Sequence, residues 1–135
     1  MTATFSGIHH ITLSVTDLDA SQRFYAEVLG MVPVRAWEDE QFARVLLSHE
    51  CGVLIGLTRH KIDPVDEPFN ERRTGVDHVS FTVGDLSDLV AWVARLEAHG
   101  VTHSDINAAV TPGVHLLAFR DPDNIPLELF TSPAI

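Results

Sequence analysis

The chain has one cysteine and one tyrosine in 135 residues, and Lys61 is its only lysine. A lone Cys51 excludes an intrachain disulfide, so nothing here requires an oxidising compartment. Its side chain is expected to serve as a small buried apolar group. Lys and Arg together number 9 against 19 Asp and Glu, for a formal net charge of −10. That balance excludes a phosphate-backbone partner, which needs clustered basic residues, and suits a soluble protein. No apolar run is long enough to cross a bilayer, so no membrane partner is expected. The opening MTATFSG lacks a basic region followed by an apolar run; a cytoplasmic location is expected. An apolar fraction of 45% with 21% charged residues marks an ordinary globular chain able to bury a core rather than a disordered one.

What the chain does have is a repeat. GIHHITLSVTDL begins at Gly7, and GVDHVSFTVGDL begins at Gly75, 68 positions later. Both alternate with period two, as a strand with one apolar face does. His10, Thr12 and Ser14 oppose Ile11, Leu13 and Val15; His78, Ser80 and Thr82 oppose Val79, Phe81 and Val83. A helical pattern comes after each copy. Phe24, Val28 and Leu29 form the first apolar stripe, closed by Gly30; Leu86, Leu89, Val93 and Leu96 form the second, closed by Gly100. Asp17, Asp19 and Asp85 suit helix starts, and glycines just past the end suit helix stops.

Three strands are predicted after each helix. The first set is Val32–Trp37, Phe42–Ser48 and Gly52–Thr58. The second is a weak strand near Val101–Ser104, then Val114–Phe119 and Ile125–Phe130, with the turn sequence DPDN before the last. A polar linker is read over 60–74, rich in proline and charge. One domain of two modules, about 5–59 and 75–132, is the expected organisation, and the internal repeat is what fixes it.

Aligning the last strands, CGVLIGLT and NIPLELFT, sets Gly56 opposite Glu128, 72 positions apart. Four positions are then equivalent: His10, Gly56, His78 and Glu128. A histidine on a strand is by default a packing or surface residue. Here two histidines hold matching places in repeated strands, and Glu128 lies between Leu127 and Leu129, where an unpaired carboxylate is costly to bury. Two imidazoles and a carboxylate suit a divalent Fe, Mn, Co, Ni or Zn ion with coordination positions left open. The bland alternative is a hydrogen-bonded polar cluster in the core.

The stretches HHITLSVTDLDASQRFYAEVLGM, GVDHVSFTV and FRDPDNIPLELF resemble the vicinal oxygen chelate superfamily, also called glyoxalase/bleomycin resistance/dioxygenase. The likeness runs from His9 to Phe130. It implies an α+β fold in which two βαβββ modules form a concave mixed sheet. Metal ligands would come from the first and last strands of each module, giving His10, His78 and Glu128; if the metal is absent, Glu128 is expected to take a catalytic base role instead. It further implies a small-molecule substrate and a homodimer, with sites built within one chain or across its interface.

Departures narrow the chemistry. Glyoxalase I proteins carry a fourth ligand, a glutamate, where this chain has Gly56, which disfavours the standard glyoxalase I reaction. Extradiol dioxygenases and fosfomycin-resistance enzymes often carry a tyrosine where Ala118 stands, and the segment Ile106–Pro112 lacks the cations that would hold a phosphonate. The expectation is a divalent-metal enzyme whose substrate chelates the ion through vicinal oxygens, with lyase, isomerase or ring-cleaving chemistry. The alternative is a metal-free, bleomycin-type drug-binding protein. Thr12, Ser80, Trp37, Arg44 and His115 are candidate substrate-binding residues, although alternation sets His115 on the face of Leu117 and Phe119. His9, His49, His60, His99 and His103 are read as structural or solvated, Trp92 as helix packing, and Arg72 and Arg73 as linker residues.

Overall fold

Leu13 and Val15 are buried while Thr12 and Ser14 are exposed, so the first repeat folds as its alternation predicts: a strand, β1 (Ile11–Ser14), with one face on a core. The structure is a computed structural model that describes residues 1–132. Asp17 accepts a hydrogen bond from the Ala20 amide and starts helix α1 (Leu18–Arg23). The helix then widens into a π-helical turn, Phe24–Val28. Such a turn adds a residue to the ring and rotates the side chains beyond it. That displaces the expected apolar stripe: Tyr25 is fully buried and Phe24 only half-buried. Strands β2 (Val32–Glu38), β3 (Phe42–Ser48) and β4 (Leu54–His60) complete the module. The sheet order is β1-β4-β3-β2, with β1 parallel to β4 and the other pairs antiparallel. Leu13, Val45, Leu47, Ile55 and Leu57 form one face of this sheet and bury with Tyr25 and Val28. Each such aliphatic side chain contributes roughly 1.5–3 kcal/mol when fully removed from water.

The second module repeats the plan. It has β5 (Val79–Val83), α2 (Leu86–Ala98), β6 (Asn107–Ala108), β7 (His115–Arg120) and β8 (Pro126–Thr131), in sheet order β5-β8-β7-β6 with β5 parallel to β8. Asp85 and Asp88 form a reciprocal capping box at the start of α2. Gly100, at φ 68°, leaves the helix in the left-handed region where glycine carries no Cβ penalty. Leu89, Leu96, Leu117, Leu127 and Leu129 make the core. The architecture is α+β, two βαβββ modules with one four-stranded mixed sheet each.

Two further expectations are corrected. The weak strand near Val101–Ser104 is a single bridge, His103 to Phe119. The Ser104 hydroxyl accepts from the Ala118 amide, while the Ser104 amide donates to the Ala118 carbonyl, so a side chain takes a place in the ladder and the strand forms later, at Asn107–Ala108. Cys51 is exposed, not buried: it sits in the turn after β3, where its amide donates to His49 Nδ1. The histidine at the C-terminus of α2 is held by its own helix, with His99 Nδ1 2.9 Å from the Arg95 carbonyl oxygen.

The chain divides into two compact units at Asp66 and Glu67, inside the segment read as a linker. Arg59 binds Asp66 within the first unit. Residues 67–74 are tied to the second: the Phe69 amide donates to the Asp123 carbonyl at 2.8 Å, and Asn124 Nδ2 donates to the Phe69 carbonyl at 2.9 Å. Arg120 makes two bonds to the Glu71 carboxylate and a third to the Asn124 carbonyl. The Arg120 guanidinium holds the Glu71 carboxyl down at about 2, from 4.5. A carboxylate with a lowered folded pKa contributes stability above its unfolded pKa and loses it as pH falls through the folded one. Between pH 4.5 and 2, wild-type urea midpoints should therefore fall more steeply than those of Glu71→Gln; parallel acid limbs would contradict this latch.

Candidate metal and substrate site

The parallel pairing of first and last strands sets the chemistry-bearing residues side by side. In the second module β5 pairs with β8 so that Ser80 lies opposite Glu128. In the first, β1 pairs with β4 so that Thr12 lies opposite Gly56. Thr12 and Ser80 are each the second residue of their strand, and His10 and His78 each lie two residues earlier. Gly56 and Glu128 are thus equivalent in register.

Around Glu128 the second module builds a polar cluster. Ser80 Oγ donates to Glu128 Oε2 at 3.0 Å, and His78 Nε2 stands 3.5 Å from the same oxygen. His78 Nδ1 lies 2.7 Å from Asp77 Oδ1. The Asp77 hydrogen bond, aided by the charges of Glu128 and Asp77 and opposed by partial burial, raises the pKa of His78 above its usual 6.5. The Glu128 side chain is 21% exposed and that of His78 41%, so both remain open to solvent from one side.

In the first module the His10 ring meets its neighbour: His9 Nδ1 and His10 Nδ1 are 2.8 Å apart, with the rings edge to face. The two copies share a device here. The residue preceding each repeat histidine engages its Nδ1. A carboxylate or other acceptor on the far nitrogen is the usual means of orienting a metal-binding imidazole. The donor chemistry therefore fits a divalent ion at His78 and Glu128, whose Nε2 and Oε2 converge. Among the described residues, no group of three or more His, Cys, Asp or Glu side chains is gathered that could hold a metal ion. Asp77 was not singled out in the sequence. The signal was the shared position itself, one residue before a repeat histidine.

Gly56 differs from Glu128 in more than charge. A Cβ at Gly56 would come 2.8 Å from Thr12 Oγ1 and 3.3 Å from its Cγ2. Thr12 thus occupies the space where a side chain at position 56 would begin.

The other candidates fall on both faces. Trp37 and Arg44 lie opposite each other on β2 and β3, and Arg44 lies opposite Thr58 on β4, which pairs with Ser14. They share the sheet face of Thr12 and Gly56. His115 does not share the face of Glu128. Ala118 is the residue opposite Glu128, while Leu117 and Phe119, on the side of His115, are buried in the core. The His115 amide donates to Thr131 Oγ1 at 2.9 Å. The linker arginines are ordinary: Arg73 pairs with Glu67. Arg95 stacks over Trp92 on α2.

Residues 7–129 match the glyoxalase/bleomycin resistance protein/dioxygenase superfamily, and the chain belongs to it. The uncharacterized protein YaeR of Escherichia coli is 30% identical over 127 residues, covering 91% of this chain and 94% of YaeR. The metallothiol transferase FosB of Staphylococcus saprophyticus is 28% identical over 124 residues, covering 92% of this chain and 76% of FosB. A crystal structure of a glyoxylase/bleomycin resistance protein/dioxygenase domain from Frankia sp. EAN1pec superposes with a TM-score of 0.87 at 32% identity, over 96% of this chain and 100% of that one. No helix among the described residues is long and apolar enough to cross a membrane.

The contact of Thr12 with position 56 makes a quantitative expectation. Gly56→Ala should cost about 1–3 kcal/mol by overpacking, measured by urea denaturation. In a Thr12→Ala background the same change should cost at least ~1 kcal/mol less, because the clashing atoms are gone. Equal costs in the two backgrounds would show that Thr12 does not fill the position.

Proposed function

We propose that this protein is a divalent-metal-dependent enzyme with His10, His78 and Glu128 as metal ligands. The observation that carries the reading is the second module's pair. His78 has Nδ1 locked on Asp77 and presents Nε2 beside Glu128 Oε2, at 3.5 Å. His10 enters as the third ligand because it holds the matching place before β1, with its Nδ1 2.8 Å from His9 Nδ1. Fe, Mn, Co, Ni and Zn all accept two imidazoles and a carboxylate. The substrate is a small oxygenated molecule that would chelate the ion through vicinal oxygens, and the ion, when bound, would supply Lewis acidity.

The chain's own groups divide the remaining work. Asp77 orients the His78 ring and raises its basicity. Ser80 steers Glu128 by donating to Oε2, the oxygen that faces His78 Nε2; without a metal, Glu128 would serve as a base. Thr12 lines the space beside Gly56, so no fourth carboxylate is available there. Lyase, isomerase or ring-cleaving chemistry fits this set better than the standard glyoxalase I reaction, which uses that carboxylate. The working unit is a cytoplasmic homodimer. Superfamily membership and the metallothiol transferase relative support a metal enzyme of this kind. A metal-free binding protein is the second reading. The Ser80 hydrogen bond favours it, because it satisfies Glu128 with no ion.

Protein purified without a histidine tag should carry, or take up on loading, one metal per site. His10→Ala and Glu128→Ala should lose it, and Asp77→Asn should weaken it by about 10–100-fold, as read by metal analysis and competition with a chelator. A folded wild type that takes up none of the five metals would leave the binding-protein reading in its place.

A further inference from the structure

Among the described residues, Arg59, Lys61, Arg73 and Arg120 form ion pairs with carboxylates. The chain carries a net charge of −10. Two arginines on one sheet face nevertheless have no carboxylate partner among the described residues. Arg44 has its Nε bonded to the Thr58 hydroxyl at 2.7 Å, and this is its only hydrogen bond among the described residues. Its guanidinium lies 4.2 Å from the Phe42 ring centroid and 5.4 Å from that of Trp37. Arg35 lies over the same Trp37 ring at 5.4 Å. Neither arginine has a carboxylate within ion-pair distance among the described residues. Asp39 feels the Arg44 charge, but its carboxylate accepts from the Gln41 and Phe42 amides instead.

The rows of the sheet connect these groups to the face of Thr12 and Gly56. Ser14, Thr58, Arg44 and Trp37 are successive cross-strand partners on β1, β4, β3 and β2, and Thr12, Gly56, Leu46 and Arg35 form the next row. With adjacent strands about 4.8 Å apart, Arg44 stands roughly 10 Å across the sheet from β1. A half-buried guanidinium with its Nε used, its plane packed on aromatics and both Nη groups without a partner is a preorganised fork for a planar oxyanion. Trp37 is 38% exposed and offers an apolar surface beside that fork.

We propose that Arg44, with Arg35 and Trp37, forms a subsite for the carboxylate of an organic acid, so that the substrate is an anion with an apolar body. The proposal rests on the reading that this sheet face is the substrate face. Its residues all lie in the first module. The Thr58–Arg44–Phe42 arrangement holds the fork before a ligand arrives, which reduces the ordering cost of binding.

The test uses phenylacetate and its neutral counterpart phenylacetamide, titrated into the full-length Trp92→Phe protein so that Trp37 is the only indole. Phenylacetate should change Trp37 fluorescence saturably, and its affinity should fall with added salt. Arg44→Gln should weaken it about tenfold or more, as loss of a charge-assisted bond does. Arg44→Lys should bind between the two, because it keeps the charge and loses the fork. Arg35→Gln, an exposed change that leaves the core untouched, should weaken binding several-fold and keeps the test decisive if the Arg44 variants misfold. Equal titration by phenylacetamide, or unchanged phenylacetate affinity in Arg44→Gln or Arg35→Gln, would overturn the subsite. Metal content measured on the same samples separates the two readings. Metal that loads normally beside an indifferent Arg44→Gln defeats the subsite alone. Arginine-dependent phenylacetate binding in a protein that takes no metal defeats the metal reading alone.

Discussion

The parallel pairing of the first and last strand in each module is the constraint on which the rest depends. It places residues distant in sequence in one register: Thr12 with Gly56, and Ser80 with Glu128. Because side chains alternate with period two, the same pairing sorts every row to a face. Leu13, Leu57, Leu127 and Leu129 go to the helix side and are buried. Thr12, Ser80, Arg44 and Glu128 go to the other. A one-residue slip of β8 would send Glu128 into a core of Leu127 and Leu129 and bring those leucines out. The cost of that exchange is what holds Glu128 beside Ser80 and His78.

Within that common frame the two modules have diverged. The second carries a charged cluster, with Asp77, His78, Ser80 and Glu128 linked by contacts of 2.7 to 3.5 Å. The first has no carboxylate at the equivalent position. It has a glycine, with Thr12 packed over it, and it carries its charge further along the sheet, as arginines stacked on Trp37 and Phe42. The second module gathers oxygen and nitrogen donors and the first stacks arginines on aromatic rings, a difference that a duplicated strand plan permits without altering the fold.

Much of this was readable in advance where the signal was periodic. The repeated histidine strands, the Asp caps, Gly100 and the register of Gly56 against Glu128 all come from alternation, helical spacing and self-similarity. What escaped was set by single contacts with no period. The π-turn at Phe24–Val28 shifts burial from Phe24 to Tyr25. The Ser104 hydroxyl interrupts a ladder and moves a strand to Asn107–Ala108. Cys51 is exposed because it sits in a tight turn, whatever its apolar character. Glu71 and Phe69 bind Arg120, Asp123 and Asn124, so half of a segment that reads as linker belongs to the second unit. Asp77 and Arg35 drew no notice because their roles depend on which atom of a neighbour they touch, and composition does not encode that.

The central claim is that the two repeat histidines and Glu128 bind one ion, and X-ray absorption at the metal edge of the loaded protein tests it most directly. The account predicts a first shell with two imidazole nitrogens and carboxylate oxygen, at about 2.0–2.2 Å for zinc, with one imidazole lost in His10→Ala and again in His78→Ala. A shell of oxygen alone, or one unchanged by either substitution, would contradict it.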